Sequence, residues 1–280
     1  MSANWIRAKA VGATLFCLLA AGCFLLPGKF ASELTVRRDG TFSFSYQGDV
    51  HVLALSKMAQ DGMGGDAKFE PEPCYDQLDR EERKCSADEL SAQRSNWETG
   101  QEAGKAKKKQ DAETMRQILG GIDPSDPRAA EELAERMRKQ AGWRSVQYVG
   151  DGKYVVDFAI AGRLDHDFSF PSLERMPVPV PFVAIYRRAD GSVRVDAPAF
   201  SASASGGPVG AMLQGMGGGK PTPQDMPALD GMFAIVTDGE ILANNTDDGP
   251  QPGAAGMRRL AWKVSPRTAA APTALIRLGR

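Results

Sequence analysis

Histidine is almost missing from this chain: 280 residues contain 2, His51 and His166. A serine or cysteine nucleophile normally needs a histidine base beside it, so there is little to build one from. The HExxH, GxSxG and CxxC patterns are absent too, and with them the best-marked zinc, acyl-transfer and thiol-redox signatures. Beyond the N-terminus no long apolar run occurs, so nothing downstream reads as a membrane-spanning helix. Charge of one sign is lacking as well, with 34 Lys and Arg against 35 Asp and Glu. Such a balance exerts no long-range pull, and nucleic acid is not an expected partner.

The two histidines offer little. His51 follows Asp49-Val50 in an otherwise apolar run and reads as structural. Asp165-His166-Asp167 is more suggestive, but on a strand both aspartates project to the face opposite the imidazole. A surface histidine is expected there. No catalytic residue, metal ligand set or cofactor site is assigned, and an enzyme is not expected.

The N-terminus says more. Arg7 and Lys9 precede an apolar stretch from Ala10 to Ala21, which ends in Leu19-Ala20-Ala21-Gly22-Cys23. A basic start, a short apolar core and small residues before a cut describe a secretory signal peptide over residues 1–22. Cys23 after Ala-Gly resembles the lipobox of bacterial lipoproteins, with Ala20 standing where that family usually has Leu. The resemblance implies lipid attachment at Cys23 and a membrane anchor. Phe24, in place of the Asp that retains such proteins in the inner membrane, implies the outer membrane. Two alternatives stay open: an ordinary signal peptidase site, or an uncleaved helix running on through Leu25 and Leu26 to Pro27.

Of the 4 cysteines, Cys17 falls in the signal and Cys23 at the anchor. Cys74 and Cys85 remain, and a pair in a secreted chain reads as a disulfide. Zinc would need two further ligands, and the histidines do not supply them.

Residues 23–280 read as a single envelope domain. Hydrophobic residues make up 42%, enough for a core, while 30 Gly and 18 Pro point to many turns. Four times an Asp-Gly pair separates strand-like runs, at Asp39-Gly40, Asp151-Gly152, Asp190-Gly191 and Asp238-Gly239. A two-residue loop after Arg38 would set Leu34 and Val36 opposite serines. A three-residue loop with Gly in the left-handed bulge position sets Val36 opposite Phe42 and Leu34 opposite Phe44, giving one apolar face. That register also pairs Val146 with Val156, Tyr148 with Tyr154, Ile185 with Val195, and Ile235 with Ile241. Segments near Leu260–Val264 and Ala274–Leu278 add strands.

The middle is different. Residues 86–141 read as a helical insertion: a long, solvated helix from Ser86 to Leu119, then an amphipathic one with Asp126 as N-cap and Pro127 at its first position. The cluster Lys105, Lys107, Lys108 and Lys109 reads as a solvated face. Residues 201–227 form a Gly/Pro-rich loop carrying Met212, Leu213 and Met216, a candidate ligand-binding lid. Its glycines lack the Lys-Ser/Thr ending of a phosphate-binding loop.

After Cys23, the run Leu34-Thr35-Val36-Arg37-Arg38-Asp39-Gly40-Thr41-Phe42 is similar to LppM-type bacterial lipoproteins. So is Phe233–Asn245 followed by Leu260-Ala261-Trp262-Lys263-Val264. The resemblance covers about a third of the chain and implies an α+β domain with an apolar cavity and a binding role. The expected architecture is thus α+β, an antiparallel sheet of hairpins with a helical insertion packed on one side. The expected function is binding of an apolar or lipid-like ligand, with a structural or assembly role toward another envelope protein as the alternative.

Cys23→Ser should abolish acylation and leave the signal uncleaved, as read by intact mass of the membrane fraction. A mature N-terminus elsewhere, with no lipid, would refute the anchor.

Overall fold

The computed structural model describes residues 25–56, 68–76, 81–176, 178, 180–202 and 227–279, and of Lys108 the backbone alone. The expected signal peptide 1–22, the acylation site Cys23 and the candidate lid Met212, Leu213 and Met216 lie outside the described residues.

The chain forms β1 (Leu25–Val36), β2 (Thr41–Val52), a small hairpin β3 (Cys74–Tyr75) and β4 (Glu82–Arg83), then α1 (Ala87–Ile118) and α2 (Ala129–Arg138). Strands β5 (Trp143–Gly150), β6 (Lys153–Arg163), β7 (Phe168–Phe170), β8 (Val183–Arg187) and β9 (Ser192–Asp196) follow. The last strands are β10 (Asp230–Thr237), β11 (Glu240–Asn244), β12 (Gln251–Pro252), β13 (Arg258–Val264) and β14 (Thr273–Arg277). They build a seven-stranded sheet ordered β12-β13-β10-β1-β2-β6-β5 and a five-stranded sheet ordered β11-β14-β9-β8-β7. The protein is α+β and mostly sheet. The expectation of one antiparallel sheet is corrected on two counts: there are two large sheets, and β1 runs parallel to β10.

Three Asp-Gly turns reverse the chain, and their strands carry the register expected of a three-residue loop; at Asp151-Gly152 the loop itself has two residues, since Gly150 pairs with Lys153, and a bulge at Val149 restores that register. Val36 lies opposite Phe42 and Leu34 opposite Phe44. Val146 faces Val156, Tyr148 faces Tyr154, and Ile185 faces Val195. Gly40, Gly152 and Gly191 all take the left-handed conformation, with φ of +83°, +68° and +80°. Asp39 and Asp190 each accept from the backbone and hydroxyl of the residue two places on, Thr41 and Ser192, and those bonds hold both carboxyls below their usual range.

The fourth hairpin does not form. β11 pairs with β14 in the other sheet, so Ile241 meets Ile276 rather than Ile235. Gly239 is not left-handed here. Its amide is taken by the buried Thr237 hydroxyl at 2.9 Å, and a Cβ on it would strike Ile276 and the Arg277 carbonyl. Asp238 caps the Arg38 amide at 2.6 Å, far away in sequence. This Asp-Gly is a crossing between sheets.

The larger sheet is one-sided. Along β1, β2, β6 and β10 the residues of one face, Leu34, Phe44, Tyr46, Tyr154, Phe158 and Phe233, are buried; the alternates are mostly polar on β1 and β2, such as Glu33 and Ser43, while β6 and β10 also place Val155 and Met232 there, both exposed. The second sheet covers that face. Phe170 of β7 touches Phe44 at 5.1 Å, Tyr46 at 5.1 Å and Phe158 at 4.6 Å between ring centroids. Farther along, Phe200 stacks on Phe30 at 4.3 Å and contacts Phe233. α2 lies on the same face: Ala130, Leu133, Ala134 and Met137 are buried, and the Tyr154 hydroxyl donates to the Ala130 carbonyl at 2.9 Å. That helix starts later than expected. Asp126 accepts from the Arg128 amide in a turn, and α2 begins at Ala129 without a side-chain cap.

Gly48 serves this core. Its φ is +148°, and a Cβ there would lie 2.2 Å from the Lys29 carbonyl, where β1 bulges between Pro27 and Phe30. The bulge lets Phe30 stack on Tyr46. β1 begins at Leu25, whose partner is Val52. Leu25 and Leu26 are therefore strand residues, contrary to the alternative of a helix continuing through Pro27.

Phe170→Ala should cost about 3–5 kcal/mol, as ring deletions in packed cores do. Urea unfolding followed by tryptophan fluorescence checks this. A loss under ~1 kcal/mol would mean that the two sheets do not depend on this ring.

Candidate functional site

α1 is the feature least accounted for by packing. It runs for 32 residues, about 48 Å at the helical rise. Among its described residues only Met115 and Ile118, in its last turn, are buried, joining Leu119 and Ile122 in the core. A helix this polar gains little from burial, so its order must come from its ends.

The first end is clasped. Ser86 and Glu89 make a reciprocal capping box. Arg83 reaches both Glu89 oxygens, at 2.9 and 2.5 Å. Those bonds, with the Ser86 amide, hold the Glu89 carboxyl at about 2. Cys74 and Cys85 are joined by a disulfide, which closes β3 and β4 against the helix start. The strip before β3 lies along the helix. The Gln93 amide exchanges hydrogen bonds with the Glu72 backbone at 3.0 and 3.2 Å, and Phe69 packs on Trp97 with Arg94 over its ring. Between the clasp and the core anchor stands a charged stretch: Glu98, Glu102, Lys105, Lys107 and Lys109 are exposed.

Two glycines sit in this stretch, Gly100 and Gly104. A Cβ on either would meet nothing within 4 Å, and neither has a positive φ. Each weakens the helix by about 0.5–1 kcal/mol against alanine.

Two hollows flank Asn245. Its side chain accepts from the Trp262 indole at 3.0 Å and the Thr273 amide at 2.9 Å, and donates to the Ala271 carbonyl at 2.9 Å. Asn245 thereby ties β13 of one sheet to β14 of the other. One hollow, about 250 Å³, has Ala243 and Leu275 in its floor with Arg188 and Arg194 beside them. The other, about 470 Å³, lies along β13 and is bordered by Asp247, Asp248, Lys263 and Arg267. Neither is the apolar cavity that the resemblance implies, and over the apolar face of the larger sheet the second sheet places Phe170 against Phe44 and Phe158.

The histidines are apart. His51 lies on the outer face of β2 beside the Asp49–Lys153 ion pair, and burial lowers its pKa. His166 is exposed in a bend between β6 and β7, where Asp167 accepts from the Arg187 amide. Asp157 Oδ1 is buried without a hydrogen-bond partner on the outer face of β6. Among the described residues no group of three His, Cys, Asp or Glu is placed to hold a metal ion, and no helix is long and apolar enough to cross a membrane. The Asn245 tie was not foreseen from spacing. Only the Asn followed by a Trp-bearing strand in the resemblance above touched on it.

No family model matches the chain, and no curated protein matches it. Among solved structures, the NMR structure of the folded domain of LppM from Mycobacterium tuberculosis is similar at 10% identity, over 91% of this chain and 92% of that one, with a TM-score of 0.30. So slight a likeness assigns neither fold nor function.

Cys85→Ser should lower stability by roughly 2–3 kcal/mol, the closure entropy of a short loop, and free the start of α1 to exchange its amides. Gly100→Ala with Gly104→Ala should act oppositely and slow exchange in the middle turns. Hydrogen exchange by mass spectrometry reads both. Unchanged protection in the serine variant would mean that the disulfide does not order the helix.

Proposed function

We propose that this chain is a non-enzymatic, lipid-anchored lipoprotein of the bacterial cell envelope, outer membrane rather than inner, that binds another envelope protein. The observation that carries the binding role is α1: a solvated helix fixed at both ends, with exposed charges between. Ordering a residue costs about 1–2 kcal/mol, and burial within this chain does not offset that over the middle turns. A disulfide, a capping box and an ion pair instead hold the helix out as a presented surface.

The address follows from other features. A disulfide fits an oxidising compartment. β1 begins at Leu25, two residues past Cys23, and two residues span at most ~7 Å. An acyl chain on Cys23 would hold the Leu25 end of the sheet against the bilayer. An apolar or lipid-like ligand is the second reading, favoured by the largely apolar floor of the hollow at Ala243 and Leu275.

A photo-crosslinking residue at Glu102 or Lys105, in the acylated chain expressed in a bacterial host with this envelope system, should give one discrete protein adduct. The same residue at Ser43, exposed on the outer sheet face, should give none. Native mass spectrometry of the purified mature chain separates the readings. A stoichiometric protein supports the proposal, and a one-to-one lipid with no adduct from α1 would replace it.

A further inference from the structure

The seven-stranded sheet ends in a strand too short to close it. β12 has two residues and pairs only with Arg258 and Arg259 of β13. Pro252 and then Gly253 end it, and on its other side Gly249, with φ +64°, turns the preceding chain away. Asp247 and Asp248 consequently stand off from β13 across the 470 Å³ groove.

The backbone shows what faces that groove. Successive residues of an antiparallel strand point their N–H and C=O groups to opposite edges. Met257 points toward β12: its carbonyl accepts from Gly253 at 2.8 Å and its amide donates to Ala254. Arg259, Ala261, Lys263 and Ser265 therefore point the same way, and Leu260 and Trp262 point to β10. Arg259 is met by Gln251. Ser265 is met by its own loop, since its amide donates to the Thr268 hydroxyl at 2.9 Å and its carbonyl accepts from the Thr268 amide at 3.0 Å. Ala261 and Lys263 lie between, with two donors and two acceptors at strand spacing. Among the described residues no strand pairs with them. From Arg259 to Ser265 the edge spans about 20 Å.

The walls are built and charged. Ala202 pins the Thr268 carbonyl at 2.8 Å on one side, and Asn245 fixes the other. Asp247 and Asp248 face Lys263 and Arg267 around the groove, and among the described residues none of the four forms an ion pair. A segment that fits must offer a ladder of backbone groups, a basic side chain toward the aspartates and an acidic one toward Lys263 and Arg267. We propose that the open edge of β13 takes one extended polypeptide segment of a partner protein as an added strand, in the manner of β-augmentation. This rests on the protein-binding reading above and gives that partner a second point of attachment, away from α1.

The test uses random linear peptides displayed on phage and selected on the mature domain. Enriched peptides should carry one basic and one acidic residue, and should slow amide exchange at Ala261 and Lys263 while leaving Trp262 unchanged. Ala261→Pro removes a donor that faces the groove and no bond to β10, so it should fold normally and bind those peptides at least tenfold more weakly. Asp247→Lys with Asp248→Lys should weaken them through charge alone. No enriched peptide, equal binding to the proline variant, or slow exchange of Ala261 and Lys263 in the free domain would each overturn the proposal. The last outcome would mean that the chain fills its own edge. An adduct from α1 that persists alongside any of these leaves the protein-binding reading standing and removes only the strand site.

Discussion

A sheet with one apolar face must have that face covered, and the rest of this molecule follows from how it is done. Phe44, Tyr46, Phe158 and Phe233 project from three strands of the larger sheet. Left in water, each ring would forfeit about 2–3 kcal/mol. The smaller sheet and α2 lie over them, with Phe170 set among Phe44, Tyr46, Phe158 and Trp143. Gly48 and the β1 bulge exist in this conformation because Phe30 must reach the same stack. The crossing at Asp238-Gly239 carries the chain from one sheet to the other and so makes the covering layer possible.

Once the core is sealed, what remains available is at the periphery. α1 contributes only its last turn to the core, and the disulfide clasp governs the other end. The edge of β13 is held open by a two-residue strand and by the turn at Gly249. Both features are polar and both sit on structure that is fixed elsewhere. They suit recognition of a protein surface, in which orientation is set by backbone and charge, more than enclosure of a small apolar guest.

Much of the local structure was legible. Registers of the hairpins at Asp39-Gly40, Asp151-Gly152 and Asp190-Gly191 could be read because period-two alternation leaves one register that puts most apolar residues on one side. Ser86 followed by Glu89 marks the start of α1 by a contact within one turn. Cys74 and Cys85 could be paired because few other thiols compete. Where a contact is local, residue type and spacing specify it.

Apart from the late start of α2, the errors share a cause. Asp238-Gly239 has the same residues as the three hairpin turns, yet Gly239 is drawn against Ile276 and Asp238 against Arg38 by chain far away in sequence. Pairing of β1 with β10 brings Lys29 beside Asp230, across the whole domain, and no periodicity announces it. The Asn245 to Trp262 bond and the open edge of β13 likewise exist only after two sheets have stacked. The sequence by itself determined the α+β class, most of the longer strands, the two helical stretches and the expectation of an export signal, because each rests on neighbours within a few residues. Tertiary structure decided which strands share a sheet, what covers the apolar face and which edge stays open, because those depend on long-range contacts whose loop-closure cost and packing gain are settled only in the assembled core.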